Sequence, residues 1–390
     1  MIVYNDNSLD RLMINEEAGI ALRKQLISKN EYDTIAAAHA VELYRPNIFI
    51  RIGLFLVTVV IVLMSFGLLL LVAADALDSN KGFFVICLIF SFFIYLTLEW
   101  IIRSKRHYRS GVDDALLWLT LGFIISAVNL FTGITPLQQS LLIFILSLAA
   151  TIRFANSVMS SVMFFSFIAI IFYSITPLGN MGKSILPFVL MSISIIIYFI
   201  VQIYKNKNAL RHYRYCLKML AFLSLITTYA AVNYFAVREL SNLLFDLHLP
   251  AGASIPGGWF FWLTTILIPP LYIFRALKTK DSLMLRTGLF LLAATIFTIR
   301  YYYSVAPVEV VMTAGGLILI VATYFVIRYL RTPKYGITDK EPEDDDMQDS
   351  LQLESIVIAE TFQNIPVPGA GEGFNFGGGS SGGGGASGEY

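Results

Sequence analysis

IIRSKRHYRSGVDDALLW, Ile101 to Trp118, carries the reading of the fold. It ends one apolar run, turns on five cationic or imidazole side chains within seven residues, and opens the next run with the acid pair Asp113–Asp114. Cationic clusters at the ends of long apolar runs mark the cytoplasmic face of a polytopic membrane protein. The rest of the chain repeats that arrangement.

Composition agrees. Hydrophobic residues make up 56% of the 390 residues, charged residues 14%, and the mean hydropathy is +0.69; soluble domains usually carry about a quarter charged residues. The apolar residues sit in long blocks, which excludes a two- or three-domain soluble enzyme, and the net charge of +1 comes with no basic stripe for nucleic acid. The expected environment is a lipid bilayer, with no nucleic acid partner.

Ten blocks are long enough to cross a hydrocarbon core of about 30 Å, which takes about 20 helical residues. They lie near 52–75, 83–102, 114–131, 138–154, 159–175, 185–204, 217–236, 259–275, 283–300 and 308–330. Helices are the expected form, because lipid offers backbone groups no partners and the runs lack the alternation of a barrel strand. The fold class read from the chain is therefore an all-α polytopic bundle of about ten helices.

Residues 1–47 precede the bundle as a helical hairpin, with Leu9, Leu12, Met13, Ala18 and Leu22 at helical spacing and a Ser28–Glu31 capping box opening a second helix to about Tyr44. Being polar, they give no sign of a secretory signal. Residues 48–331 form the membrane domain. Residues 332–390, first acidic and then closing in FNFGGGSSGGGGASGEY, have the composition of a disordered tail. Its apolar patch Leu351–Phe362 is a candidate to dock on the hairpin.

Orientation follows from Lys and Arg. With the N-terminus inside, the inner flanks collect Arg45, Arg51, the cluster Arg103 to Arg109, Arg153, the cluster Lys205 to Lys218, Arg275 to Arg286, and Arg328 to Lys334. The outer flanks hold Lys81, Lys183, Arg238 and Arg300. An even number of spans then puts both termini in the cytoplasm. RHYR recurs at Arg106–Arg109 and Arg211–Arg214, and ITPL at Ile134–Leu137 and Ile175–Leu178. Duplicated hairpins and recurrent turn chemistry both account for these repeats.

Function in such a chain shows in polar residues within or beside the spans. Glu99 stands four residues before Arg103, the spacing of a local ion pair. Asp113 and Asp114 point about 100° apart on a helix, a poor geometry for a shared acid–base site, and they fit an N-terminal cap instead. Arg300 and Glu309 flank the Tyr301–Tyr303 triplet and its turn as a candidate outward-facing pair. Arg238, Glu239, Asp246 and His248 make the segment 237–258 the most polar outer surface, with a short interfacial helix expected in its first half. Pro269 and Pro270 remove two backbone donors and disfavour a straight eighth span. Gly315 and Gly316 permit close helix approach, and Asn129, Gln202 and Asn233 are placed to bond between helices.

Catalytic motifs are missing. His39, His107, His212 and His248 show no metal-binding spacing, although His107 and His212 could meet through the two RHYR loops, and no phosphate loop or nucleophile elbow is present. The sequence calls for no catalytic residue, cofactor or metal. Cys87 and Cys216 fall near opposite membrane faces, which argues against a disulfide.

Two segments carry a resemblance. QLISKNEYDTI (Gln25–Ile35) ahead of many short spans, and the closing IRYYYSVAPVEVVMTAGGLILIVATYFVIRYLR (Ile299–Arg331), resemble uncharacterised bacterial multi-pass inner-membrane proteins grouped as domains of unknown function, over about a third of the chain. The resemblance implies a bacterial inner membrane and no activity. Three function classes follow: a structural or assembly protein acting through its cytosolic ends, with a protein partner at the hairpin or tail; a carrier or channel for a small solute; and an enzyme on a lipid-linked substrate. A packed bundle, a polar cavity at mid-membrane, and a lateral groove with converging His and acids distinguish them in that order.

Overall fold

A computed structural model describes residues 2–73, 80–245, 255, 257–302 and scattered positions from 310 to 328. Its helices are α1 (Asp6–Arg23), α2 (Lys29–Ala38), α3 (Ile48–Val72), α4 (Asn80–Lys105), α5 (Val112–Thr132), α6 (Pro136–Phe154), α7 (Ser157–Ile175), α8 (Gly179–Tyr204), α9 (Arg214–Ala230), α10 (Tyr234–Phe245), α11 (Gly258–Thr279) and α12 (Ser282–Tyr302). The described residues contain no strand, only an isolated bridge between Tyr44 and His107. Hairpin and bundle belong to one compact unit, Met1–Lys340.

Among the described residues, eight helices are long and apolar enough to cross a membrane, and counting α9 and α10 as one broken span gives nine. The chain is thus a multi-pass membrane protein. The tenth expected span, 308–330, falls mostly outside the described residues, as does the whole tail. Large apolar side chains such as Leu56, Ile61, Leu68, Phe92 and Phe274 are exposed along these helices. In water that surface would aggregate; a bilayer is the solvent that accepts it.

Local chemistry sets the helix ends. Ser28 Oγ accepts the Glu31 N–H at 3.3 Å while Glu31 accepts the Ser28 N–H at 2.7 Å, closing the expected capping box. The same reciprocal pair forms at Thr135 and Gln138, with Pro136 in the first turn of α6. Asn47 and Asn156 cap α3 and α7 with their side chains. α2 ends at Ala38, short of the expected Tyr44. The Tyr44 backbone instead pairs with the α4–α5 loop, its N–H donating to Arg106 O at 2.9 Å and its carbonyl accepting from Tyr108 N at 3.2 Å.

The seventh span also departs from expectation. It is interrupted after Ala230, and α10 leaves at 76°. Asn233 at the break is buried, and its Oδ1 accepts the Ala236 N–H at 3.0 Å, capping the new helix. α10 covers the segment in which the sequence indicates an interfacial helix.

α11 runs as one helix through Pro269 and Pro270. Pro269 removes the donor that would reach the Thr265 carbonyl four residues back. Thr295 Oγ1 of α12 lies 3.1 Å from that carbonyl and donates to it instead. The neighbouring helix supplies what the proline takes away.

Candidate functional site

The hairpin gathers several loops at one end of the bundle. Val3 N–H donates to Arg153 O at 3.0 Å at the end of α6. Asp10 accepts two hydrogen bonds from Arg211 (2.7 and 2.9 Å) before α9, and Glu16 accepts from Tyr215 at 2.8 Å and pairs with Arg45. Glu42 pairs with Arg106 in the α4–α5 loop. At the start of α12, Asp281 accepts from Gln202 of α8 at 3.3 Å. The loops α4–α5, α6–α7 and α8–α9 therefore share the face on which the hairpin sits, and α11–α12 joins them beside the end of α8.

Ile101–Trp118 forms the middle of this knot. Arg106 and Arg109 adopt left-handed backbone with φ of 54° and 50°, and Gly111 has φ 93°. A Cβ at Gly111 would overlap the Arg51 carbonyl oxygen, so glycine is required both by its dihedral and by the approach of α3. Asp113 folds back to accept the N–H groups of Arg109 and Ser110, each at 2.8 Å, and the Ser110 hydroxyl at 2.9 Å. Asp114 turns away. One of its oxygens accepts from Arg51 of α3 at 2.6 and 3.1 Å, the other from Asn156 Nδ2 at 2.9 Å. The adjacent acids thus serve separate partners: Asp113 organises the loop, and Asp114 ties α3 and the α6–α7 turn to α5.

Tyr4 and Tyr108 meet edge to face at 5.0 Å beneath the hairpin, and burial raises both phenol pKa values. The Arg109 guanidinium lies 4.5 Å from the Tyr215 ring centroid and 5.3 Å from that of Tyr108. His107 holds Ser110 Oγ at 2.8 Å, and burial keeps its imidazole pKa below the usual value. His212 lies 3.6 Å from Asp10 and 3.9 Å from Asp6, so the two histidines of the RHYR loops have separate partners. Among the described residues no three His, Cys, Asp or Glu side chains converge as a metal site. Cys87 and Cys216 are buried free thiols.

A second charged group closes the ends of α4 and α6. Glu99 accepts from Arg103 at 2.8 Å, the expected i,i+4 partner, and also from Tyr95 OH at 2.6 Å and Arg153 at 2.6 and 3.2 Å. Arg153 comes from another helix, and its part in this group is invisible to local spacing. Beside the group a groove of about 590 Å³ runs between α4, α5 and α6, lined by apolar side chains such as Leu88, Phe92, Leu121, Ile124, Leu146 and Ala149, with Tyr95 and Arg153 at its charged end.

The third polar group joins α9, α11 and α12. Asn233 Nδ2 donates to Tyr229 OH at 2.9 Å and lies 3.3 Å from Thr298 Oγ1; Tyr229 OH and Thr295 Oγ1 are 2.9 Å apart. Thr295 donates in turn toward the Thr265 and Leu291 carbonyls at 3.1 and 3.0 Å, so the proton direction runs from Asn233 through Tyr229 and Thr295 to these two backbone acceptors. Of this group the sequence marks Asn233 alone. The threonines read as ordinary span residues, and only their packing reveals the group.

The other candidates separate. Arg238 and Glu239 lie on α10, where Arg238 is buried with its guanidinium 5.0 Å from the Tyr302 ring centroid and Glu239 lies 3.4 Å from Tyr302 OH. Arg300 has a buried Nε with no hydrogen-bond partner among the described residues. Glu309, Asp246, His248 and Gly315 are outside the described residues, and with them lie the Arg300–Glu309 pair and the rest of the polar outer surface. Asn129 Oδ1 is buried with no hydrogen-bond partner among the described residues.

Compared with models of known protein families, with characterised proteins and with solved structures, the chain matches none.

Proposed function

We propose that this protein is a structural or assembly component of a membrane, working through the face on which its hairpin and basic loops gather. The observation that carries the reading is how the bundle uses its polar groups. Glu99, Asp114 and the Asn233–Tyr229–Thr295 chain are spent on one another and on neighbouring helices, and the groove among α4, α5 and α6 is apolar. Such groups fix helices in place; a solute pathway needs polar lining near mid-membrane. The hairpin brings exposed surface to the same face, including the α1–α2 tip at Leu26 and most of α2, which has no buried residue. That surface is offered to a protein partner.

The membrane proposed is a bacterial inner membrane, with the hairpin and the C-terminus in the cytoplasm. The cationic loops and the resemblance of the two terminal segments support this assignment. A reporter fused after Tyr390 that is active in the periplasm would overturn the orientation.

The experiment for the function is copurification of the full chain from mildly solubilised membranes, beside a Leu26→Glu variant. A stoichiometric partner with the wild type that is lost from the variant is the expected result. A wild-type chain that comes alone and carries solute flux in liposomes would favour the carrier reading instead. One feature points to that second reading: the broken α9–α10 pair packs beside the two prolines of α11, an arrangement in which transporters place their binding sites.

A further inference from the structure

The groove among α4, α5 and α6 has the dimensions and the charge of a lipid site. α4 and α6 are its walls and α5 its floor. Each wall repeats at helical spacing, Leu88, Phe92 and Tyr95 on one side and Leu146, Ala149 and Arg153 on the other. Phe92 and Ile152 are exposed at the rim, where the groove meets the bilayer. The opposite situation holds at one end, where Glu99 and Arg153 bridge the two walls.

Along α4 the lining from Leu88 to Tyr95 spans about 10 Å at 1.5 Å per residue, and the Glu99–Arg153 pair adds about 6 Å at the charged end. Half of a hydrocarbon core of about 30 Å is the depth of one leaflet. The groove therefore begins at the charged helix ends and stops near the middle of the bilayer, the course of a single acyl chain. Its charged end is cationic at the surface. Arg103 and Arg153 both pair with the carboxylate of Glu99, and the Arg103 side chain is 63% exposed. An uncharged sterol or an alkane offers nothing to the exposed guanidinium of Arg103, whereas a phosphate at the head of the chain complements it.

We infer that this groove binds one acyl chain of an anionic phospholipid, with the headgroup phosphate at Arg103 and Arg153. The site lies apart from the Leu26 surface and does not depend on the partner-binding reading. It makes lipid a fixed part of the wall between α4 and α6, and it ties the separation of those helices to the headgroup chemistry of one leaflet.

The full chain is reconstituted in vesicles of equimolar phosphatidylglycerol and phosphatidylcholine with matched acyl chains, extracted in mild detergent, and weighed intact with its bound lipid. The wild type is expected to retain one phosphatidylglycerol with a preference of about fivefold over phosphatidylcholine, the size of one cationic side chain acting on an anionic headgroup. Ala149→Trp, at an exposed position of the groove wall, fills the slot and removes the retained lipid. Arg103→Gln keeps a lipid and brings the preference close to one. Retention of the same lipid by Ala149→Trp, or an unchanged preference in Arg103→Gln, overturns the inference. A wild-type experiment needs no variant to fold: phosphatidylglycerol with a photoreactive acyl chain is expected to label residues 88–95, 117–124 and 146–153. Labelling of the exposed face of α3 at equal density is the contrary result.

Discussion

Thr295 on α12 donates a hydrogen bond to the carbonyl of Thr265 on α11, the acceptor that Pro269 leaves without its own helix's donor. A proline and a hydroxyl from different helices are thereby coupled. Thr295→Val removes the hydroxyl from both Thr265 O and Tyr229 OH and should destabilise the protein by about 1–3 kcal/mol, the cost of leaving buried polar groups unsatisfied. In a Pro269→Ala background the helix recovers its own bond, so the same threonine change should cost less. Thermal unfolding of the four proteins in detergent measures the difference; additive costs would show that the two residues act independently.

Gly111→Ala should be among the most damaging single-methyl additions in the described residues. Its φ of 93° disfavours any L side chain, and the added Cβ overlaps the Arg51 carbonyl. Strain of this kind costs about 1–3 kcal/mol before the displacement of α3 is counted. Gly122, with nothing near its missing Cβ, is the control position: Gly122→Ala should be neutral or stabilising in the same melting assay.

Asp114→Asn should loosen α3. This helix has no buried residue, and the Arg51–Asp114 pair at 2.6 Å fixes its first turns while Phe66 packs its far half on Phe90 and Phe123. Because Arg51 is about one-third exposed, the cost should fall below that of a fully buried pair, at about 1–3 kcal/mol. Hydrogen exchange should rise at Ile48–Phe55 and remain unchanged in α11 and α12. Uniform protection across α3 in the variant would assign its placement to other contacts.

The hairpin clamp should respond to acid. The hydrogen bonds from Arg211 hold the Asp10 carboxyl below its ordinary pKa. A carboxylate whose native value is depressed stabilises the fold fully above its unfolded value of about 4, and that contribution is lost as pH falls through the lower native value. The pair is partly exposed and so worth about 1 kcal/mol or less. Proteolysis of α1 should therefore speed up only as the pH drops below about 4, and Asp10→Asn should remove that step while leaving the rate at pH 7 within a few-fold. An identical acid profile in wild type and variant would place the sensitivity elsewhere.

What the sequence determined by itself is local or additive. Apolar runs of membrane length, cations at alternate run ends, the Ser28–Glu31 box and the i,i+4 pair of Glu99 with Arg103 all depend on residues within a few positions of one another, and each is read directly from the chain. Even the divergence of Asp113 and Asp114 follows from the 100° step of a helix. Their partners do not. Arg51 stands 63 residues from Asp114, Arg153 stands 54 from Glu99, and Thr295 stands 30 from Thr265. Span residues look alike to a hydropathy scale whether they face lipid or a neighbouring helix, so the sequence marks which segments enter the membrane without saying which sides touch. Helix packing decided the rest: where α9 breaks, how α11 runs through its prolines, and which three helices leave a groove between them.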